Sequence, residues 1–191
     1  GNTCIKLVAF DGDSPVEVCT ADYDELEKFT RFLSAYPFNR GIISTVVDLP
    51  IVMERAIDAL PFEVERLVPG VTPVPLSLKY ATPHTLGADR LAAAVGAYMK
   101  SGGTDVLVID VGTCITYDFV SADGHYRGGN ISPGVGMRLR ALHEQTARLP
   151  LVASSASRPE PQAIGRTTET AMLAGVWQGI QYEIDGYISR F

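Results

Sequence analysis

The sequence predicts an α/β protein made of two similar halves with a cleft between them. One observation is an apolar run, Val106 to Ile109, that enters Asp110-Val111-Gly112-Thr113 and leaves through a second strand-like run, Cys114 to Tyr117, towards Asp118. A second is that Thr-Cys-Ile occurs twice, at residues 3–5 and 113–115, each time after a glycine-containing turn. Each copy leads into a strand, a polar turn and another short strand, so each opens a meander of its own. The third is that strand-like runs elsewhere are followed by segments with apolar residues at helical spacing.

Taken in order, residues 4–10 and 16–20 read as strands, and residues 23–35 as a helix with Leu26, Phe29, Phe32 and Leu33 on one face. Residues 41–47 read as a buried strand. Asp48 then caps a helix with Pro50 in its first turn and Val52, Ala56 and Leu60 along one side. Residues 62–68 and 76–78 are further short strands, joined by a proline-rich extended connection. Residues 85–100 form a helix carrying Leu91, Val95 and Tyr98, which leads by a right-handed crossover to the Asp110 strand. Residues 127–136 are a glycine-rich loop opening a helix with Met137, Leu139 and Leu142. The last helix, 168–191, buries Leu173, Trp177, Ile180, Ile184 and Ile188, and aligns Ala171, Gly175 and Gly179 on another side.

The 191 residues are 46% apolar and 20% charged, the range of ordinary globular proteins. A net charge of −6 with no basic stripe argues against nucleic-acid binding, which rests on phosphate neutralisation by Lys and Arg. Cys4, Cys19 and Cys114 lie in apolar surroundings without a C-x-x-C or a His pair, so they read as small buried thiols in a reducing compartment rather than zinc ligands. No apolar run is long enough to span a bilayer and no charged-then-apolar leader is present, which predicts a cytoplasmic protein.

Three segments carry candidate chemistry. Asp110 followed by Gly112 and Thr113 places a carboxylate beside a tight turn and a hydroxyl, where metal and phosphate can meet; an ordinary hairpin turn would use the same residues. Residues 128–136 expose backbone amides for an anion or form a plain loop before a helix, and no complete dinucleotide fingerprint or GxxxxGK[ST] loop occurs. In the segment Tyr80 to Arg90, Asp89 at a helix start is either a first-turn acid beside a solvated Arg90 or a base taking a proton from an attacking hydroxyl. Ile164-Gly165-Arg166-Thr167-Thr168 is a second Gly/Thr helix start with the same two readings.

Five segments taken together resemble type III pantothenate kinases: Gly1-Asn2-Thr3 with Lys6; Thr82-Pro83 with Leu86-Gly87-Ala88-Asp89-Arg90; Asp110-Val111-Gly112-Thr113 with Asp118; Gly128-Gly129-Asn130-Ile131-Ser132-Pro133-Gly134; and Gly165-Arg166-Thr167-Thr168. They occur in the family's order along nearly the whole chain. The resemblance implies two ribonuclease-H-like halves of the acetate and sugar kinase/Hsp70/actin (ASKHA) superfamily, here residues 1–80 and 81–191, in a homodimer. It implies ATP-dependent phosphorylation of pantothenate, the first step of coenzyme A synthesis, with Mg²⁺ and a monovalent cation, K⁺ or ammonium. By the same resemblance Asp89 is the general base and Asp110 the monovalent-cation carboxylate. Tyr80, Gly87, Arg90 and Thr168 contact pantothenate, while Asn2, Thr3, Lys6, Gly112 and Thr113 bind ATP.

The family pattern begins with an Asp-bearing strand before Gly1 and continues after the last helix into a strand and a Thr-Gly-Gly turn. Both ends therefore read as clipped: either the sequence is part of a longer enzyme, or this version lacks part of its nucleotide site and is inactive, and the first is favoured because a sheet lacking a central strand has an unpaired edge. Two other readings of the resemblance are a non-catalytic transcriptional accessory factor of the same sequence family and another ASKHA small-molecule kinase. Retention of Asp89 and Asp110 argues against the first, and the Leu86 to Arg90 segment against the second.

Overall fold

A computed structural model of the protein describes residues 4–154, 159–160 and 164–191. It is mixed α/β, and its contacts divide it into two units, Gly1–Gly96 and Ala97–Phe191.

The first unit opens with β1 (Ile5–Asp11) and β2 (Ser14–Ala21), an antiparallel hairpin closed by Gly12 at φ 58°. Its register shifts between Ala9 and Phe10. Helix α1 (Leu26–Ser34) follows and buries Phe29 and Phe32, the face that its spacing predicts. It begins later than expected because residues 22–25 form a turn in which the Glu25 carboxylate accepts the Asp22 N–H at 2.8 Å. Strand β3 (Arg40–Ile43), helix α2 (Ile51–Asp58) and β4 (Glu63–Arg66) make a βαβ unit in which β3 and β4 pair in parallel.

Three expectations fail in this stretch. Strand β3 is not buried: Ile42 remains 65% exposed, since short β3 has only alternate residues facing inward. In α2 the buried residues are Met53 and Ile57, one position on from Val52 and Ala56. Asp48 makes no cap; Pro50 occupies that position without a side-chain bond. Phe32, Tyr36, Phe38 and Phe62 gather beside these elements, with Phe38 and Phe62 centroids 5.9 Å apart.

Beyond a two-residue strand β5 (Ser77–Leu78), a 3₁₀ turn at Pro83–Thr85 precedes α3 (Ala88–Lys100). The predicted single helix from Thr85 is therefore broken at Leu86, whose backbone is extended at ψ 131° and whose side chain is 4% exposed.

The second unit is built on β6 (Val106–Val111), β7 (Cys114–Ser121) and β8 (His125–Pro133), with β7 antiparallel to both neighbours. The glycine-rich run is a strand, not a loop: residues 127–133 complete β8, and only Gly134 precedes α4 (Val135–Glu144). Gly128, at φ 112°, lies opposite Phe119 where the register shifts between Phe119 and Val120. Helices α4 and α5 (Thr168–Ile188) bury Leu139, Met172, Leu173, Val176 and Ile180 against Ile115 and Tyr117 of β7. Trp177 is only half-buried and Ile188 is 58% exposed, so α5 turns its core face towards Met172 and Val176 instead. All three cysteines are unpaired and half-buried rather than enclosed.

Leu139 is fully buried at the centre of this core. Leu139→Ala should destabilise the protein by about 2–5 kcal/mol through lost transfer energy and a residual cavity, read as a lower midpoint in urea unfolding followed by circular dichroism.

Candidate functional site

The sequence-predicted residues fall in both units. Asn2 and Thr3 lie outside the described residues. Lys6 is exposed on β1 opposite Thr20, and Tyr80 is half-buried. Gly87, Asp89 and Arg90 form the start of α3. Asp110, Gly112 and Thr113 occupy the end of β6 and its turn into β7, and Thr168 is the exposed first residue of α5.

At the α3 start, the Asp89 side chain folds back so that its Oδ1 accepts the Arg90 N–H at 2.8 Å. A Cβ at Gly87 would stand 2.6 Å from that oxygen, so glycine there makes room for the carboxylate. Asp89 is otherwise exposed, available to a ligand while receiving the favourable field of the helix N-terminus. Arg90 is not solvated: it is 7% exposed and is engaged by a partner. A buried guanidinium retains its charge and must be matched by acceptors, so it provides a fixed cation at the start of α3.

In the second unit the structure brings together two segments that the sequence keeps apart. Gly112 and Thr113 link β6 to β7, and the Gly112 N–H donates to Cys114 O at 2.9 Å. Against this turn lies Gly134, whose N–H donates to Thr113 O at 3.0 Å. A Cβ on Gly134 would stand 2.7 Å from Thr113 O and closer still to Gly112 O. The approach is backbone on backbone, and only glycine permits it. No side chain caps α4, so the first amides of that helix open beside the Gly112–Thr113 turn, the arrangement that suits phosphate oxygens.

The other Gly/Thr helix start is different. Thr167 and Thr170 form a reciprocal capping box, and Thr170 Oγ1 also accepts the Arg166 N–H at 3.0 Å. A Cβ at Gly165 would collide with the backbone of Ala171. Residues 165–170 are therefore a closed helix cap, with Thr168 exposed at its rim.

Asp110 is exposed and lies across from Thr116 in the β6–β7 register. Asp110 and the Thr113 hydroxyl, close together in sequence, offer oxygen donors, the chemistry that a hard cation takes. Among the described residues no group of three or more His, Cys, Asp or Glu gathers to hold a metal ion.

Sequence reasoning missed the polar network behind this turn. The Tyr117 hydroxyl donates to Glu183 Oε1 at 2.9 Å, and Arg138 pairs with the other Glu183 oxygen. Burial alone would raise the Glu183 pKa, yet hydrogen bonds from Arg138, Ser132 and Tyr117 outweigh it and hold the carboxyl below its ordinary value. Burial first, and then Glu183, push the Tyr117 phenol up. Asp118 was legible as a motif residue but not as a buried one: it is 1% exposed and accepts the Tyr126 hydroxyl at 2.6 Å.

The family model for type III pantothenate kinases matches residues 1–190. The chain is 46% identical over 190 residues to a type III pantothenate kinase of Phocaeicola vulgatus, covering 100% of this chain and 77% of that protein. It is 47% identical over 189 residues to the Bacteroides fragilis enzyme of that name, covering 99% and 76%. A solved structure from Campylobacter jejuni, assigned to the Baf family of transcriptional activators, superposes at a TM-score of 0.55 with 21% identity, over 97% of this chain and 75% of that one; the likeness concerns the fold alone. These findings define a kinase with the ASKHA-type fold. The chain belongs to the type III pantothenate kinase family.

Gly134→Ala should cost about 1–3 kcal/mol, the usual scale of overpacking, and should displace the Gly112–Thr113 turn. The check is a denaturation midpoint together with ATP affinity; a variant equal to wild type in both would mean that the turn tolerates a Cβ.

Proposed function

We propose that the protein transfers the γ-phosphoryl group of ATP to the hydroxyl of pantothenate, giving 4'-phosphopantothenate and ADP, the first step of coenzyme A synthesis. The family match over residues 1–190 carries this reading. Asp89 takes the hydroxyl proton as the oxygen attacks, the new O–P bond forms, and the bond from the γ-phosphorus to the bridging oxygen breaks with ADP as leaving group. Its exposure at the α3 start, with Gly87 leaving its oxygen unobstructed, supports the role. Arg90 pairs with the substrate carboxylate, and Tyr80, Gly87 and Thr168 complete the pantothenate contacts.

By the family resemblance Gly112 and Thr113 are ATP-binding residues, and so are Asn2, Thr3 and Lys6. Gly112, whose amide is already used, contributes close approach, and Thr113 contributes its hydroxyl. Asp110 holds the monovalent cation, K⁺ or ammonium, beside the ATP phosphates. Mg²⁺, when bound with ATP, neutralises phosphate charge. Two ribonuclease-H-like halves remain the architecture that best accounts for the repeat, since the register shifts in β1–β2 and β7–β8 fall at the same offset from their Thr-Cys-Ile sequences. The reading includes a cytoplasmic homodimer; no helix among the described residues is long and apolar enough to cross a membrane.

Asp89→Asn should preserve the fold and lower turnover by roughly 10²-fold or more, the scale of a lost general base; near-normal kcat in a coupled ADP assay would remove the role. Asp110→Ala should abolish stimulation by K⁺ along with activity. Stimulation that persists in the residual activity would place the cation elsewhere. For the dimer, Gly175 is exposed with no atom near its missing side chain. Gly175→Leu should shift sedimentation at micromolar concentration towards monomer, whereas an unchanged dimer would clear this face.

A further inference from the structure

Arg138 and Glu183 take no part in the chemistry above, yet their contacts end on the residues that carry the phosphate-binding turn. Arg138 lies in the first turn of α4. Its Nε donates to Pro133 O at 2.7 Å and its Nη2 to Ser132 Oγ at 2.7 Å, while the same Nη2 pairs with Glu183 Oε2. Ser132 and Pro133 are the last two residues of β8, immediately before Gly134. Gly134 in turn bonds Thr113 and packs on Gly112 without room for a Cβ. One guanidinium thus holds the segment on which the turn rests.

Glu183 fixes the direction of that guanidinium from α5. The two side chains are 21% and 24% exposed, and Glu183 is itself held by Tyr117, whose ring stacks on Tyr187 at 3.8 Å between centroids. Gly179, one turn earlier on α5, lies beside the guanidinium: a Cβ there would stand 3.7 Å from Arg138 Nη1, an ordinary contact distance. An ion pair serving only to join two helices has no need of a bond to the carbonyl next to Gly134. A planar guanidinium with its Nε on that carbonyl and its Nη2 on both a hydroxyl and a carboxylate sets distance and angle together, which an ammonium does not.

We propose that Arg138, oriented by Glu183, is a positioning residue for ATP: it seats Gly134 against Gly112 and Thr113 and so fixes the shape of the turn that receives the phosphates. The inference rests on the assignment of that turn to ATP under the proposed function. Its effect falls mainly on the nucleotide, because Tyr80, Gly87 and Arg90 belong to the other unit and Thr168 stands at the start of α5, whereas Glu183 lies near its end.

The test compares wild type with Arg138→Met, Arg138→Lys, Glu183→Gln and the Arg138→Met/Glu183→Gln pair. For each, KM for ATP and for pantothenate, ATP affinity by calorimetry and Tm are measured. Arg138→Met should raise KM and Kd for ATP about ten-fold or more while KM for pantothenate stays within about two-fold. Arg138→Lys should recover the ion pair and Tm but not the ATP affinity, and the double variant should bind ATP no worse than Arg138→Met. ATP and pantothenate constants that rise together, or an unchanged ATP affinity with a lowered Tm, would reduce the pair to a structural ion pair and overturn the inference. If Arg138→Met does not fold, Arg138→Lys decides by the same ratio. Wild type that binds ATP but leaves pantothenate unphosphorylated would overturn the proposed substrate, with ATP affinity of the variants still deciding the role of Arg138; wild type that binds no ATP would overturn both.

Discussion

The second unit depends on the absence of one side chain, at Gly134. The β7–β8 register places Pro133 opposite Cys114, so the chain that leaves β8 must cross the β6–β7 turn at close range. It does so with a hydrogen bond to Thr113 and no volume for a Cβ. Everything downstream takes its position from that crossing: α4 starts there, Leu139 on α4 reaches the core, and α5 packs on α4 over Tyr117. A steric condition at one residue therefore couples the sheet, both helices and the turn that a phosphate would meet.

Part of this was legible in the sequence. Hairpin chemistry was, because Asp-Gly pairs at Asp11-Gly12 and Asp123-Gly124 announce turns and apolar runs flank them. The α1 face was too, since Leu26, Phe29 and Phe32 recur at helical spacing. Helix α2 was misjudged by one residue because Val52 and Met53 are both apolar and periodicity alone cannot choose between adjacent faces. The glycine-rich run was read as a loop because glycine weakens strand propensity, whereas pairing with β7 and a bulge at Gly128 absorb it.

At the candidate site, local sequence identified the residues but not their neighbours. Asp110, Gly112, Thr113 and Gly134 stand out as turn and helix-start residues, yet that Gly134 closes on Gly112 follows only from strand register. Arg138 and Glu183 left no mark as a pair, since a charge in each of two helices is the ordinary pattern of solvated faces. The burial of Arg90 was likewise hidden, because an Arg after a first-turn Asp usually points to solvent.

Trp177 is the only tryptophan of the chain and sits half-buried on α5. Its indole emission therefore reports from the second unit, while far-ultraviolet dichroism averages over helices of both. With such an asymmetric chromophore, superimposable melting curves from the two signals would indicate that the units unfold in one cooperative step, and displaced curves would expose separate transitions. The protein thus carries a built-in optical label for asking whether its two units are thermodynamically one body.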